Sequence, residues 1–124
     1  MKPGITRILL ADDNPAIRSA LTLLLETRLN VHIVGEADSM EALLPVVTRL
    51  QPDLVILDWE FVGSPEQDLV AQLRLLSPTL KVVLTSSQPE IAQQAQAVRA
   101  DSYVCKSQPP EQVVQVIQTI MDLL

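Results

Sequence analysis

Short apolar runs of strand length alternate along the chain with longer segments in which apolar residues recur at helical spacing. The apolar runs predict five β-strands, within residues 5–11, 31–36, 53–57, 80–85 and 102–106. The third run, DLVIL, is apolar at every position after the first. Such a run is typical of a central parallel strand that is covered on both faces.

The segments between the strands have the apolar stripe of amphipathic helices. They predict five helices, within residues 14–29, 39–50, 65–76, 89–98 and 109–124. Asn14 and Pro15 suit the cap and first position of the first helix, and Asp38 with Glu41 resembles a capping box ahead of the second. Alternating strands and helices predict an α/β fold: one doubly wound, five-stranded parallel sheet with five helices, in a single domain spanning residues 1–124.

Composition and charge narrow the classes of protein to which the chain can belong. Of the 124 residues, 48% are hydrophobic, which is enough for a buried core. Fifteen acidic against nine basic side chains give a net charge of −6, which disfavours direct binding to nucleic acid. The single cysteine, Cys105, excludes an internal disulfide framework, and no apolar run approaches the roughly 18 residues of a membrane span. We therefore expect a cytoplasmic domain that makes no contact with a membrane.

Polar residues stand at the carboxyl ends of four of the predicted strands. Asp12 and Asp13 follow the first strand, Asp58 follows the third, Thr85 ends the fourth and Lys106 ends the fifth. In open parallel sheets, reactive groups gather at these strand ends. If strands one, three, four and five are neighbours, three carboxylates, a hydroxyl and an ammonium group converge.

Three clustered carboxylates repel one another unless a cation joins them. Hard oxygen ligands suit Mg²⁺, and a carboxylate held beside Mg²⁺ is a plausible phosphoryl acceptor. Lys106 and the hydroxyl of Thr85 would then bind the remaining phosphoryl oxygens. Taken singly, each of these residues is ordinary turn or loop chemistry. Their coincidence at successive strand ends favours the functional interpretation.

Four short motifs resemble those of a response-regulator receiver domain, the acceptor half of bacterial two-component signalling. They are LLADDNP, VILDWE, VVLTSS and YVCKS. The resemblance covers essentially the whole chain. The stretches DDNPAIR and KSQPPEQVVQVI are most similar to receivers of the LuxR-type (NarL/FixJ) group. The resemblance implies a flavodoxin-like sheet with strand order 2-1-3-4-5.

The resemblance also implies the chemical role of each strand-end residue. Asp58 would be the phosphorylated aspartate. Asp12, Asp13 and Asp58, with the main-chain carbonyl of Glu60, would hold Mg²⁺ or Mn²⁺. Lys106 would pair with a phosphoryl oxygen.

The resemblance assigns switching and tuning to four further positions. Thr85 would be the switch hydroxyl that moves toward the phosphoryl group, and Tyr103 the rotating switch aromatic. Glu60 and Ser87 would tune dephosphorylation; otherwise they are ordinary exposed loop residues.

The partners that the resemblance implies are those of phosphorelay signal transduction. The phosphoryl donor would be a histidine kinase or a phosphotransfer protein, and acetyl phosphate could replace it. The output would be transcription regulation through a DNA-binding domain. A homodimer that forms on phosphorylation is a further partner that the resemblance allows. The domain would catalyse only its own phosphorylation and dephosphorylation, so it would not be an enzyme that turns over a metabolite. The sequence leaves open whether the chain is a fragment, which face dimerises and which kinase acts on it.

The chain departs from the family pattern in the segments that would move during switching. The family often has proline in the loop after the acceptor strand, whereas the loop here reads DWEFVGSPEQ, with Val62 and then Gly63. Arg99 and Ser102 stand where the family often has glycine, so any left-handed turn there would cost more.

Three other functions compete with this interpretation. A phosphatase of the haloacid-dehalogenase type needs Asp-x-Asp after an N-terminal strand, but Asp58-Trp59-Glu60 follows the third strand, and the chain has no room for a cap. A nucleotide-binding domain needs a Gly-rich loop after the first strand, where ADDNPA stands instead. The third is a receiver-like interaction module that acts without phosphorylation; it stays as the alternative.

Four further residues lie near or outside the proposed site. Trp59 and Phe61 flank the acceptor and cannot both point inward, so one contributes to a kinase-docking face or each covers a local apolar gap. His32 is interpreted as a surface or edge residue. Cys105 is interpreted as a buried thiol that packs as a small hydrophobic residue.

Overall fold

The computed structural model describes residues 4–62 and 69–124. Its strands are β1 (Thr6–Ala11), β2 (Val31–Ala37), β3 (Leu54–Asp58), β4 (Lys81–Ser86) and β5 (Ser102–Cys105). They form one parallel sheet in the order β2-β1-β3-β4-β5. The predicted fold class and strand order are confirmed.

Helices connect the strands and cover both faces of the sheet. They are α1 (Pro15–Arg28), α2 (Met40–Leu50), α3 (Trp59–Val62), α4 (Leu69–Leu76), α5 (Ile91–Ala97) and α6 (Pro110–Met121). All except α3 correspond to helices that the sequence predicts. The turn α3, four residues long, follows β3 directly and was not predicted. The predicted start of the α4 segment at residue 65 lies outside the described residues.

Two aliphatic clusters hold the helices against the sheet. On one face, Leu9, Leu57 and Leu84 belong to a buried cluster that also contains residues of α2, α4 and α5. On the other face, Ile56 and Val83 belong to a buried cluster with residues of α1 and α6. Every residue of β3 is buried, as its unbroken apolar run predicts. This central strand therefore delivers its last residue to a position that the packing on both faces fixes.

Side-chain caps set the starts of the first two helices. The side chain of Asn14 accepts hydrogen bonds from the amides of Ala16 and Ile17 at 2.9 and 3.3 Å, as predicted. At the second helix the prediction was wrong, because the cap is Ser39 and not Asp38. Ser39 has extended backbone angles, so its hydroxyl reaches the amide of Ala42 at 3.2 Å.

The turn from α5 to β5 adopts a left-handed conformation without a glycine. Arg99 has φ 61°, and the amides of Arg99 and Ala100 donate to the carbonyls of Gln96 and Ala95 at 3.2 and 2.9 Å. This is the hydrogen-bond pattern of a Schellman cap, which normally has glycine at this position, and a non-glycine residue there costs about 1 kcal/mol. The side chain of Arg74 donates to the carbonyl of Arg99 at 2.6 Å and so holds the turn. The turn fixes the start of β5 and, through it, the position of the residues at the strand's end.

Candidate functional site

The polar residues at the strand ends meet at one edge of the sheet. Asp12 continues β1, and Asp58, the last residue of β3, is in register with Thr85 of β4. Lys106 follows β5, and its amide donates to the carbonyl of Ser86 at 2.8 Å. Because β1, β3, β4 and β5 are neighbours, the structure places these residues together at the carboxyl edge of the sheet.

Three carboxylates form the acidic part of the site. Asp12, Asp13 and Asp58 each offer one carboxylate oxygen, and these oxygens lie within 4.8 Å of one another. Asp12 and Asp58 are 4% and 3% exposed, whereas Asp13 is exposed. Oxygen ligands alone, partly open to solvent, fit a small hard cation that keeps several waters, which describes Mg²⁺ and not zinc or copper.

Main-chain amides orient the two buried carboxylates. The amide of Asn14 donates to Oδ1 of Asp12 at 2.8 Å, and the amide of Glu60 donates to Oδ1 of Asp58 at 3.0 Å. Both donors come from the loop or turn that follows the carboxylate by two residues. The other oxygen of each carboxylate, Oδ2, is thereby directed toward Lys106.

The ammonium group of Lys106 bridges the two buried acids. Its Nζ lies 3.1 Å from Oδ2 of Asp58 and 3.3 Å from Oδ2 of Asp12. Burial is the largest effect on the pKa of Lys106 and lowers it, but the hydrogen bonds and charges of Asp58 and Asp12 outweigh burial and raise that pKa. Lys106 therefore stays positively charged and supplies the one cation in direct contact with both acids among the described residues.

Asp58 is an acid whose charge the protein alone does not fully compensate. Burial, the largest effect, and the charge of Asp12 raise the pKa of Asp58 above its ordinary value, although Lys106 and the amide of Glu60 pull it down. A divalent cation at the acidic cluster would favour the ionised carboxylate. The site is therefore arranged so that metal binding and ionisation of Asp58 support each other.

The two residues with an expected switching role, Thr85 and Tyr103, have different surroundings. Thr85 is 6% exposed, and with Lys106 it lines an apolar groove of 330 Å³ between α1 and α6. Tyr103 is 43% exposed and borders a surface hollow with Ala92 and Ala95 of α5. The ring of Tyr103 thus lies on the outer surface.

The carboxylate of Glu60 contacts the last residue of β4 and the first residue of the loop that follows. Its Oε1 accepts hydrogen bonds from the amide of Ser87 at 2.8 Å, from the hydroxyl of Ser86 at 3.1 Å and from the hydroxyl of Ser87. The hydrogen bonds from Ser87, followed by that from Ser86, lower the pKa of Glu60. The sequence draws attention to Glu60 and Ser87 separately, but it misses their contact and the part of Ser86.

A guanidinium group that the sequence does not single out braces the loop after β1. Arg18 Nη1 donates to the carbonyl of Asp12 at 2.6 Å, and Nε donates to Glu36 at 3.0 Å. The Arg18 side chain is only 16% exposed. The sequence does contain a signal for Arg18. It stands one helical turn after the cap residue Asn14, and α1 begins at this edge of the sheet.

The structure shows the surroundings of three residues, Trp59, His32 and Cys105, that lie near or outside the candidate site. Trp59 is half-buried and packs against the core cluster beneath α2, α4 and α5, whereas the side chain of Phe61 lies outside the described part of the structure. His32 is exposed, with Nδ1 3.1 Å from Glu26 on the surface. Cys105 is half-buried and not fully buried as predicted, because its strand lies at the edge of the sheet.

The comparison with protein families decides which family this constellation represents. The profile of the response regulator receiver domain matches residues 8–118. The chain belongs to that family. Receiver domains are parts of two-component response regulators; phosphorylation on an aspartate and binding of Mg²⁺ at an acidic cluster are typical of them, and they interact with histidine kinases.

Relatives of this receiver include regulators of transcription. It is 30% identical to the nitrate/nitrite response regulator protein NarL of Escherichia coli K12, over 89% of this chain and 52% of NarL. It is 33% identical to the transcriptional activator protein ExaE of Pseudomonas putida, over 92% of this chain and 54% of ExaE. The chain therefore spans about half the length of these curated relatives.

Solved structures give the same result. A two-component response regulator of the LuxR family from Aurantimonas sp. SI85-9A1 superposes with a TM-score of 0.83 at 26% identity, over 96% of this chain and 86% of that chain.

Within residues 4–62 and 69–124 of the receiver, each helix is too short or too polar to cross a membrane.

Proposed function

We propose that this receiver accepts a phosphoryl group on Asp58 and passes the resulting change to an output in a two-component system. The observation that supports this most directly is the position of Lys106 Nζ, 3.1 Å from Asp58 and 3.3 Å from Asp12, beside three carboxylate oxygens within 4.8 Å of one another. A purely structural salt bridge would need one acid. Here one ammonium contacts two buried acids, and a third, exposed acid has a carboxylate oxygen within 4.8 Å of theirs, so three negative charges face one positive charge and leave a place for a second cation.

In the proposed reaction, a carboxylate oxygen of Asp58 forms a bond to the donor's phosphorus while the bond from phosphorus to the donor's leaving group breaks. Asp12 and Asp13, with Asp58 and the main-chain carbonyl of Glu60, would hold Mg²⁺ or Mn²⁺, which would neutralise charge on the phosphoryl oxygens. Lys106 would bind a phosphoryl oxygen in place of one of its two carboxylate contacts. Since its charge is already in position, it would need little rearrangement during transfer.

The remaining residues would change conformation when Asp58 is phosphorylated and would set the lifetime of the phosphoryl group. Thr85, in register with Asp58, would move toward the phosphoryl group, and Tyr103 would follow by leaving its exposed position. Glu60 and Ser87 would set how long the phosphoryl group persists. The protein would signal in this way and not turn over a metabolite.

The proposed partners follow from the family and the relatives. The donor would be a histidine kinase or a phosphotransfer protein in the cytoplasm. Since the relatives are transcription regulators about twice the length of this chain, the proposed output is a DNA-binding domain outside residues 1–124, which form the receiver. Direct nucleic-acid binding by the receiver is not proposed, because its net charge is −6. Phosphorylation would also promote a homodimer.

Incubation with acetyl phosphate tests the proposal. We expect the intact protein to gain the mass of one phosphoryl group when Mg²⁺ is present, and to gain nothing after the metal is removed with EDTA. The adduct should be lost on treatment with hydroxylamine, which cleaves acyl phosphates. If no adduct forms with Mg²⁺ while the protein is folded, the alternative of an interaction module that acts without phosphorylation is favoured.

A further inference from the structure

The Glu60 carboxylate connects the turn α3, which follows the proposed phosphoryl acceptor, to the end of β4 and the residue after it. We refer to Glu60, Ser86 and Ser87 together as the Glu60 latch. One carboxylate oxygen, Oε1, accepts from three donors: the amide of Ser87, its hydroxyl and the hydroxyl of Ser86. Hydrogen bonds to an ionised acceptor are stronger than those between neutral groups, so three on one oxygen form a defined contact although Glu60 is exposed.

The latch lies directly beside the residues of the proposed reaction. Glu60 belongs to α3, and its amide donates to Oδ1 of Asp58 at 3.0 Å. Ser86 follows Thr85, is completely buried, and its carbonyl accepts from the amide of Lys106 at 2.8 Å. The Glu60 latch therefore connects the turn after Asp58 to the residues after Thr85, and through the carbonyl of Ser86 to the main chain of Lys106.

We infer that the Glu60 latch holds the β4–α5 loop in its unphosphorylated position and has to open when Asp58 bears a phosphoryl group. This inference rests on the proposed phosphorylation of Asp58. When the backbone of Thr85 moves toward the phosphoryl group, it pulls Ser86 and Ser87 with it, because they are the next two residues of the chain. A phosphoryl group on Asp58 also adds negative charge two residues before Glu60, whose amide contacts Asp58, and negative charge added next to an acidic residue disfavours the existing arrangement.

The latch gives Glu60 a role different from contact with the attacking water. Its Oε1 accepts from three donors at the end of β4 and in the loop that follows, and through these hydrogen bonds Glu60 acts on the position of the loop. Glu60 is then a positioning residue whose removal favours the phosphorylated conformation. A residue that only supported the structure would have the opposite effect, since its loss would weaken the site.

Binding of beryllofluoride, which mimics a phosphoryl group on aspartate, measures the cost of opening the latch. With Mg²⁺ held constant, we expect Glu60→Ala to lower the half-saturating beryllofluoride concentration roughly tenfold and Ser87→Ala about threefold. The double variant should gain less than the product of the two factors, since both changes break the same contact. Glu60→Gln, which keeps an acceptor oxygen without the charge, should fall between the wild type and Glu60→Ala.

Glu90→Ala is the matched control, because Glu90 is an exposed acid at the start of α5 whose side chain makes no capping hydrogen bond. It should bind beryllofluoride as the wild type does. Equal or weaker binding by Glu60→Ala would overturn the inference. A change in the autodephosphorylation rate of Glu60→Ala with unchanged beryllofluoride affinity would also overturn it, and would assign Glu60 to the attacking water.

Hydrogen exchange of the unphosphorylated protein separates failure of the latch from failure of the proposed function. The amide of Ser87 should exchange faster in Glu60→Ala than in the wild type and be unchanged in Glu90→Ala. If the wild type binds no beryllofluoride but this exchange difference is present, the contact exists and the proposed phosphorylation is wrong. If the exchange rates are equal, the latch itself is absent in solution.

Discussion

Asp58→Asn is expected to abolish the Mg²⁺-dependent phosphoryl adduct. The amide keeps the shape of the carboxylate but has no oxygen nucleophilic enough to attack phosphorus at neutral pH. Intact mass after incubation with acetyl phosphate should show no increase, whereas the wild type gains one phosphoryl group. The matched control is Asp122→Asn, a change at the C-cap of α6 outside the acidic cluster. An adduct of equal yield on Asp58→Asn would place the phosphoryl group elsewhere.

The same substitution is expected to stabilise the metal-free protein at neutral pH. The pKa of Asp58 is raised in the folded state, mainly by burial, so the folded protein binds this proton more tightly than the unfolded chain does. The free energy of unfolding of the wild type should therefore fall as pH rises from the ordinary pKa of aspartate through the raised value. Asp58→Asn has no titrating group at this position. At pH values above the raised pKa, its free energy of unfolding should therefore exceed that of the wild type by on the order of 1 kcal/mol.

Urea unfolding in EDTA at several pH values measures this advantage. Addition of Mg²⁺ should reverse it, because a ligand at 100 times its dissociation constant stabilises the wild type by about 2.7 kcal/mol and the variant by less. If Asp58→Asn is less stable than the wild type at neutral pH without metal, the carboxylate is better compensated by Lys106 than we infer.

Asp13→Ala is expected to weaken Mg²⁺ binding by tenfold to about a hundredfold or more, since the loss of even an outer-shell partner has effects of this size. Asp13 is exposed, so its removal should leave the fold intact. Trp59, the only tryptophan, is half-buried next to Asp58, and its fluorescence should change when Mg²⁺ binds. Titration of this fluorescence gives the affinity of each variant.

Two comparisons make the Asp13 titration decisive. Asp122→Ala should bind Mg²⁺ as the wild type does, which excludes a general effect of net charge. If Asp13→Ala and the wild type have the same midpoint, Asp13 is not part of the metal site. A wild-type titration without any change in fluorescence would count against the placement of Trp59 beside the metal.

The architecture was predictable because its apolar signals are strong and redundant. Within β3 the apolar run predicts both the strand and its central place, and burial of the whole strand agrees with this. The convergence of Asp12, Asp58 and Lys106 was predictable as well, since parallel strands that are neighbours bring their carboxyl ends together. In these cases the sequence pattern and the fold depend on the same physical constraint.

Features that depend on one turn or one side-chain contact were not predictable. The helix α3 has four residues, too few to show a period. The left-handed Arg99 has no glycine to indicate its φ of 61°. The contact between Glu60 of α3 and Ser86 at the end of β4 joins residues 26 positions apart, and neither residue type alone indicates a partner. The orientation of Tyr103 likewise depends on how α5 packs beside the edge strand.

Diffraction from crystals soaked in Mn²⁺ tests the central claim most directly, because anomalous scattering locates the ion without assumptions about its ligands. We expect one strong anomalous peak between the carboxylates of Asp12, Asp13 and Asp58, within direct or water-mediated reach of each, with Lys106 still beside Asp58. Soaking in excess Mg²⁺ should remove the peak. The absence of a peak at this position, or a peak bound by other residues while the three aspartates lie apart, would contradict the account.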